Sequence, residues 1–408
     1  MTRRTYNVLM IAPTSFFLDY GCHVRIAEEA WILEKLGNQV TIVTYYKGND
    51  LDGVAIERTR PIPWRHDYEV GCSRHKLAFD VLLSIKSLEV ALRRKPDIIH
   101  AHLHEGALIG YVLGKLRGVP LVFDFQGSMT GEMTDHHFLN PDGALYGPVN
   151  WLEQVIDHLP QAIITSSHHA ADLLRSEFHC DSDSIHIVPD CVNTDTFRLD
   201  AFTEEERLSL KAHLGIPLER KVVVYLGLLA EYQGTPFLVQ AAAQLVKARP
   251  DVHFLIMGFP GEEGYRAYAH SLGLGDHVTF TGKIPYQLAP RYLALGDVAV
   301  STKISATEGS GKLLNYMALA LPTVAFDTPV SREYLDDWGV YAEQGNPAAL
   351  AEALGSILAD QERAADLGMG LRQRAIERYS WEQAGRQIVG IYDSLCFGGK
   401  RRISRSGS

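Results

Sequence analysis

The sequence lacks what several classes of function require. It has five cysteines (Cys22, Cys72, Cys180, Cys191 and Cys396), scattered and never in a CxxC pair, which argues against a disulfide framework and a thiolate zinc site. It has no positive excess: 39 Lys and Arg stand against 49 Asp and Glu, a formal net charge of −10. A polynucleotide partner is therefore not expected, because such binders need a basic face to neutralise phosphates. No apolar run approaches the roughly 20 residues of a membrane-crossing helix. The opening MTRRTYNVLMIAP enters a strand pattern without a small-residue cleavage site, so a cytoplasmic location is expected. A GxGxxG fingerprint is missing too, which speaks against a dinucleotide site. Positive charge does gather at Arg3, Arg4 and the closing KRRISRSGS. A disordered tail over 398–408 fits it, and so does at most weak peripheral contact with an anionic membrane.

What is present is a strict alternation. Apolar strand-like runs YNVLMIAP, QVTIVTY, PDIIHAHL, VPLVFDF and AIITSS are separated by helical patterns, the first around His23 to Lys35. After a polar stretch the series restarts with KVVVYLGLL, a helix around Pro236 to Lys247, VHFLIMG, HVTFTG, VAVSTK and PTVAFD. This is the pattern of parallel sheets covered by helices on both faces. At 408 residues the chain exceeds the roughly 250–300 at which one hydrophobic core stops growing. An α/β protein of two similar domains in tandem is expected, with domains over 1–195 and 196–380 and a turn-rich linker at VPDCVNTDTFRLD. A last helix over 381–397 has no strand after it and is expected to pack back towards the first domain.

In such sheets ligands bind beyond the carboxyl ends of the strands, so two facing domains place their candidate residues in one cleft. The richest segment is ATEGSGKLLNYMALALPTVAF, 306–326. Gly309, Ser310 and Gly311 allow a tight turn, and the unpaired amides of the helix that follows form a cradle for a diphosphate. Glu308, which phosphate would repel, suits the vicinal hydroxyls of a sugar. An N-capped core helix with an incidental acid fits the same residues. Gly227 in LGLLAEYQGTP, and Gly282 with Lys283 in HVTFTGKIP, end strands where main-chain groups can approach a ligand. Ordinary βα turns fit them equally.

In the first domain Gly21 lies between a strand and a helix, where amides can meet an acceptor. His100, His102 and His104 recur at period two, so a strand would turn all three to one face. No matching distant ligands accompany them, and no metal is expected. Asp124, Gln126 and Gly127 emerge from an apolar run, where burial without partners is costly. Arg65, His66, Arg74, His75 and Lys76 cluster among aromatic residues, a composition that clamps a phosphate or carboxylate and so marks a dock for an anionic acceptor.

GNQVTIVT, PDIIHAH, VPDCVNTDTF, VHFLIMG, VTFTGKIP, EGSGKLLNYMALALPTVA and YSWEQAGRQIVGIYDSL together span nearly the whole chain. With them the sequence resembles glycosyltransferase family 4. The resemblance implies the GT-B fold, with the active site between two Rossmann-like domains and a C-terminal helix crossing their junction. It implies transfer of a hexose-type sugar from a nucleotide diphosphate sugar to a hydroxyl of a sugar, polyol or other acceptor. Retention at the anomeric carbon is part of the expectation, with no cofactor and no obligatory metal. Glu308 would contact donor hydroxyls, and the segment from Gly309 through Lys312 and Leu313 to Asn315 would hold the donor.

The chain departs from the family at four positions. Asn315 stands where the family has a glutamate that grips the ribose. Leu228 and Gln233 stand where GRLxxxKG carries an arginine and a lysine on the diphosphate, and Gln126 stands where a histidine is usual. Lys312 is the expected substitute cation, with Lys283 and Lys303 behind it. A non-catalytic nucleotide-sugar or glycan binder on the same fold is the alternative, as is a GT-B enzyme of another reaction class.

Overall fold

A computed structural model describes residues 4–18, 21–61, 76–135, 138–304 and 309–403, with 76, 77 and 398–403 described by their backbone alone. The chain forms two parallel sheets. The first joins β1 (Asn7–Ala12), β2 (Gln39–Thr44), β3 (Ala55–Arg58), β4 (Ile98–His102), β5 (Leu121–Phe125), β6 (Ala162–Thr165) and β7 (Ile185–Ile187). Its order is β3-β2-β1-β4-β5-β6-β7. The second joins β8 (Lys221–Leu226), β9 (Val252–Met257), β10 (Val278–Phe280), β11 (Val298–Ser301), β12 (Thr323–Phe326) and β13 (Val340–Ala342), in the order β10-β9-β8-β11-β12-β13.

Period-two geometry explains why the strands are apolar throughout. In β1, Val8 and Met10 point into one core and Leu9 and Ile11 into another, so both faces of the sheet are covered. One face is covered by α1 (Gly21–Lys35). The other is covered by α2 (Lys76–Arg94), α3 (Leu103–Arg117), α5 (Tyr146–Asp157) and α6 (His168–Ser176), which supply its buried apolar side chains, while α4 (Met129–Asp135) packs against α5. In β8, Val222 and Val224 part in the same way from Val223 and Tyr225. The second domain adds α7 (Glu204–His213), α8 (Thr235–Ala248), α9 (Glu262–Ser271), α10 (Ala289–Leu293), α11 (Gly311–Ala318), α12 (Pro329–Leu335), α13 (Pro347–Ala359) and α14 (Gln361–Arg378).

The final helix, α15 (Trp381–Ile403), returns to the first domain, where Ala384, Ile388 and Tyr392 join the core beside α1. It runs on to Ile403, so the tail expected to be disordered from 398 is helical up to that residue. The chain thus crosses between domains twice, and the crossings lie side by side. Val192 forms a parallel bridge with Ser380, and its N–H donates to Tyr379 O at 3.0 Å.

Candidate active site

The residues at the carboxyl ends of the two sheets meet around a buried arginine. Arg25, on α1, sits among carboxylates. Its Nη2 is 2.9 Å from Asp124 Oδ1, its Nε 3.0 Å from Glu29 Oε1 and its Nη1 2.7 Å from Asp190 Oδ1. Nη2 also donates to Val188 O at 3.2 Å. One side chain therefore ties together α1, the end of β5 and the linker. Burial opposes the charge on Arg25, but Asp124, Glu29 and Asp190 outweigh it and raise its pKa. Burial also disfavours the Asp124 carboxylate, yet Arg25 and the hydrogen bond from His102 hold it well below the usual carboxylate range. Glu29 moves the other way: burial, and then the charge of Asp124, push it well above that range.

This charge pattern orients Gln126. Asp124 is anionic and can only accept, so the Gln126 amide must turn Nε2 towards it, at 2.7 Å from Oδ2. Gln126 Oε1 is then turned away from Asp124, and it is buried without accepting a hydrogen bond from the protein. His102 Nδ1 lies 3.0 Å from the same carboxylate oxygen.

The three histidines do not share a face. His100 and His102 stack at 4.8 Å between ring centroids, and His100 Nδ1 meets Tyr392 OH at 2.6 Å. Burial holds His100 down at about 3, so it is neutral. β4 ends at His102, and Leu103 takes a positive φ of 59°, which turns the chain into α3. His104 consequently points to α5, with Nε2 3.3 Å from Asp157 Oδ1 and 3.5 Å from Glu153 Oε1. It is 4% exposed. Burial opposes its charge, but the hydrogen bond and charge of Asp157, with Glu153 behind, raise its pKa to about 9. His104 is thus a buried imidazolium under the first domain, and its expected place in acceptor binding is corrected. The sequence hid this because the period-two argument assumed a strand that stops two residues earlier.

Two buried triads bring ligand-type atoms within 4.8 Å of one another, Glu29–His100–His102 and His104–Glu153–Asp157. In each, one carboxylate already has a partner outside the triad. Glu29 faces Arg25, which would repel a cation, and both Glu153 oxygens accept main-chain amides, of Met129 at 2.8 Å and Thr130 at 2.7 Å.

In the second domain Gly227 follows β8 with φ 153°, and a Cβ there would lie 2.8 Å from Lys312 Nζ. Lys312, at the start of α11, donates to Gln233 Oε1 at 2.9 Å and to Tyr225 OH at 3.3 Å, with Nζ 4.5 Å from the Tyr225 ring centroid. Its ammonium therefore reaches the tip of the residue that replaces a lysine in the family pattern. Ser310 caps α11 without a side-chain bond, and its buried Oγ has no hydrogen-bond partner. Lys303 Nζ donates to Gly309 O at 2.7 Å. Asn315 is 9% exposed one turn into α11. Leu313 is fully buried in the core, and its N–H donates to Ser310 O, so its expected role in donor binding is corrected. Gly282 has φ 71°, and a Cβ there would lie 3.3 Å from Glu262 Oε1.

The domains touch at the glycine turn. A Cβ on Gly309 would overlap Asp190 Oδ2 and lie 2.9 Å from Ser166 Oγ, so only glycine allows the loop to approach the linker this closely. Glu333, on α12, accepts the His168 N–H that starts α6, at 3.0 and 2.9 Å. Lys283, which lies 5.4 Å over the Phe259 ring, helps burial lower the pKa of His23 on α1 to about 3. Gly21 opens α1 on the same side, exposed and with nothing within 4 Å of where a Cβ would stand. Gly127 is buried after β5. Glu308, Arg65, His66, Arg74 and His75 lie outside the described residues, and Lys76 is described only as the first residue of α2. Arg25 and Glu29 carry no motif signal, and an arginine and a glutamate four apart on a core helix is the one hint the sequence offers; Asp190 lies in the linker motif VPDCVNTDTF without being singled out there.

Comparison with known proteins agrees with this architecture. Residues 21–196 match the family description Glycosyltransferase Family 4, and residues 206–374 match Glycosyl transferases group 1. A D-inositol 3-phosphate glycosyltransferase of Corynebacterium urealyticum is 30% identical over 400 residues, covering 92% of this chain and 91% of that protein. The chain belongs to glycosyltransferase family 4. Among solved structures, a sucrose-phosphate synthase of Thermosynechococcus elongatus superposes with a TM-score of 0.80 at 19% identity, over 96% of this chain and 99% of that one. An Anabaena protein crystallised with UDP-glucose gives 0.75 at 15% identity, over 95% and 100%. The GT-B fold of this glycosyltransferase is thus shared with proteins of very different sequence.

Proposed function

We propose that this glycosyltransferase moves a hexose-type sugar from a nucleotide diphosphate sugar to a hydroxyl of an acceptor that also carries an anionic group, with retention at the anomeric carbon. The observation that carries the reading is the position of Lys312: its ammonium stands beside Gly227 and at Gln233 Oε1, beyond the end of β8. There it supplies the positive charge that the family pattern places on Gln233. A nucleotide-sugar donor agrees with the UDP-glucose bound by the Anabaena protein. An anionic polyol acceptor agrees with the name of the Corynebacterium relative and with the cationic cluster around Arg74.

The step proposed is a front-side displacement. The bond between the anomeric carbon and the diphosphate oxygen breaks, the acceptor oxygen bonds to that carbon on the same face, and its proton passes to the departing phosphate oxygen. Lys312 and the first amides of α11 stabilise the charge that grows on the leaving diphosphate. Gln126 Oε1, turned away from Asp124 and left without a protein partner, accepts from a hydroxyl and orients it without serving as a base. Such a scheme makes no use of a metal.

The test is a panel of UDP-, GDP- and ADP-sugars screened by thermal shift, then assayed for nucleoside diphosphate release with phosphorylated and unphosphorylated polyols, with the anomeric configuration of the product read by NMR. Release that depends on the phosphorylated acceptor, with retained configuration, is expected. Binding without acceptor-dependent release would favour a non-catalytic binder, and inversion would overturn the displacement proposed.

A further inference from the structure

From Lys312 the surface beyond the six-stranded sheet continues over β8 towards β9 and β10, the edge of that sheet. The Gly227 N–H donates to Met257 O at 3.0 Å and the Leu229 N–H to Phe259 O at 2.9 Å, and a Cβ on Gly258 would overlap Gly227 O, so the loops after β8 and β9 run pressed together. On the β11 side of Lys312 the Gly309 turn is closed against Asp190 and Ser166. A nucleoside attached to a diphosphate at Lys312 therefore has its room over β9 and β10. From β8 to β10 is two strand spacings, about 10 Å, which a ribose and a base together bridge.

Two features meet at that end. Gly282 follows β10 in the left-handed region, at φ 71°, and leaves the backbone bare where a Cβ would lie 3.3 Å from Glu262 Oε1. Glu262 begins α9 and is half-buried. The cation one helical turn on, Arg266, does not take this carboxylate: its Nη2 donates to Phe280 O at 3.0 Å and its guanidinium lies over the Phe280 ring. Among the described residues the Glu262 carboxylate makes no hydrogen bond or ion pair. An acid in the first turn favours a helix by its charge alone. Glu263 does the same from an exposed position, which leaves the half-buried place of Glu262 beside Gly282 to be explained.

The chemistry of a carboxylate discriminates among bases. It only accepts hydrogen bonds, and it does so through two oxygens side by side. Guanine presents two adjacent donors on its Watson–Crick edge, the N1 hydrogen and the N2 amino group, which match the two oxygens. Uracil presents the N3 hydrogen alone, between two carbonyl oxygens that a carboxylate repels. Adenine and cytosine present an amino group beside a bare ring nitrogen, so each gives a single donor.

We propose that Glu262 reads the base of the donor and makes this enzyme select a guanosine diphosphate sugar. The two carboxylate oxygens take the N1 hydrogen and the N2 amino group in parallel, and the bare backbone at Gly282 lets the edge of the base approach. Glu262 has this role only if the diphosphate binds at Lys312, as proposed above.

Calorimetric titration of the full chain with GDP, IDP, UDP and ADP tests it. IDP keeps the N1 hydrogen of guanine and lacks its amino group. GDP should bind roughly 5- to 150-fold more tightly than UDP or ADP, with IDP between them. Glu262→Gln, whose amide offers one acceptor and one donor, should bring GDP down to the affinity of UDP. Glu263→Gln removes the same charge from the same turn of α9 and should leave the preference intact. The proposal is overturned if the wild-type chain binds UDP or ADP as tightly as GDP, if Glu262→Gln keeps the wild-type preference, or if Glu263→Gln loses it equally. If none of the four nucleotides binds, or if Lys312→Gln leaves their affinities unchanged, the diphosphate is not held at Lys312 and the donor reading falls together with the role of Glu262. Nucleotides that bind through Lys312 without preferring guanine remove Glu262 alone.

Discussion

Exchanging Lys312 and Gln233 tests whether a cation has moved between two elements of this enzyme. The two tips are 2.9 Å apart, so a lysine at 233 and a glutamine at 312 would place the ammonium at nearly the same point. Lys312→Gln removes one charge-assisted contact to a diphosphate, worth about 1.5–3 kcal/mol, and kcat/KM should fall about 10- to 150-fold. Gln233→Lys alone sets two ammonium groups about 3 Å apart, a repulsion of about 5 kcal/mol at an effective dielectric of about 20. Solvent at this half-buried site lowers that figure, and one lysine can swing away or lose its proton. The single variant should therefore gain nothing and should bind the donor less tightly.

The double variant is the decisive one. It should recover at least about tenfold of the loss seen in Lys312→Gln, a coupling of about 1.4 kcal/mol that additivity does not give. The assay is steady-state release of nucleoside diphosphate with donor varied at fixed acceptor, accompanied by thermal unfolding of all three variants. If Lys312→Gln keeps its kcat/KM, or if the exchanged pair is as slow as the product of the single effects, the cation was not acting on the donor and the reasoning fails.

Further predictions concern the glycine turn, the buried imidazolium and the cationic segment. Gly309→Ala forces a methyl into Asp190 and Ser166, whereas a Cβ on Gly311 meets nothing within 4 Å; the first should lower kcat/KM about tenfold or more and the second little, and equal effects would refute the close approach. His104 has its pKa raised from 6.5 to about 9, so its contribution to stability is full below pH 6.5 and is lost as pH rises through 9. Denaturant unfolding should lose up to about 3 kcal/mol across that interval, and His104→Gln should flatten the slope; an unchanged slope would show that the imidazolium is not the source. Arg74→Ala with Lys76→Ala should raise the KM of a phosphorylated acceptor far more than that of the donor, and equal rises would remove this segment from acceptor binding.

The alternation of apolar runs with helical patterns was enough to read two parallel sheets, because strands covered on both faces need no polar partner residues and appear as unbroken Val, Ile and Leu. The edge strands β3, β7 and β13 escaped that reading. They have only four, three and three residues, and their sequences AIER, IHI and VYA carry too little pattern to stand out. The glycine turn at 309–312 was legible for a local reason: glycines and a helix start are features of adjacent residues. Asp124 and Gln126 were legible as polar groups leaving an apolar strand.

What neighbouring residues dictate, then, the sequence by itself determined: the fold class, the family, and the place of the glycine turn before α11. What depends on residues far apart was decided only by the tertiary structure. Arg25 meets Asp124 across 99 positions and Asp190 across 165, and that charge balance, which no local window contains, sets which way the Gln126 amide faces. In the same way His104 became a buried cation because α5 brought Asp157 and Glu153 against it. Lys312 reached Gln233 because the β8–α8 loop and the start of α11 converge beyond the sheet, where Gly227 leaves room for an ammonium group. Electrostatic interactions of this kind follow distance and burial in space, and a linear sequence specifies neither until the chain has folded.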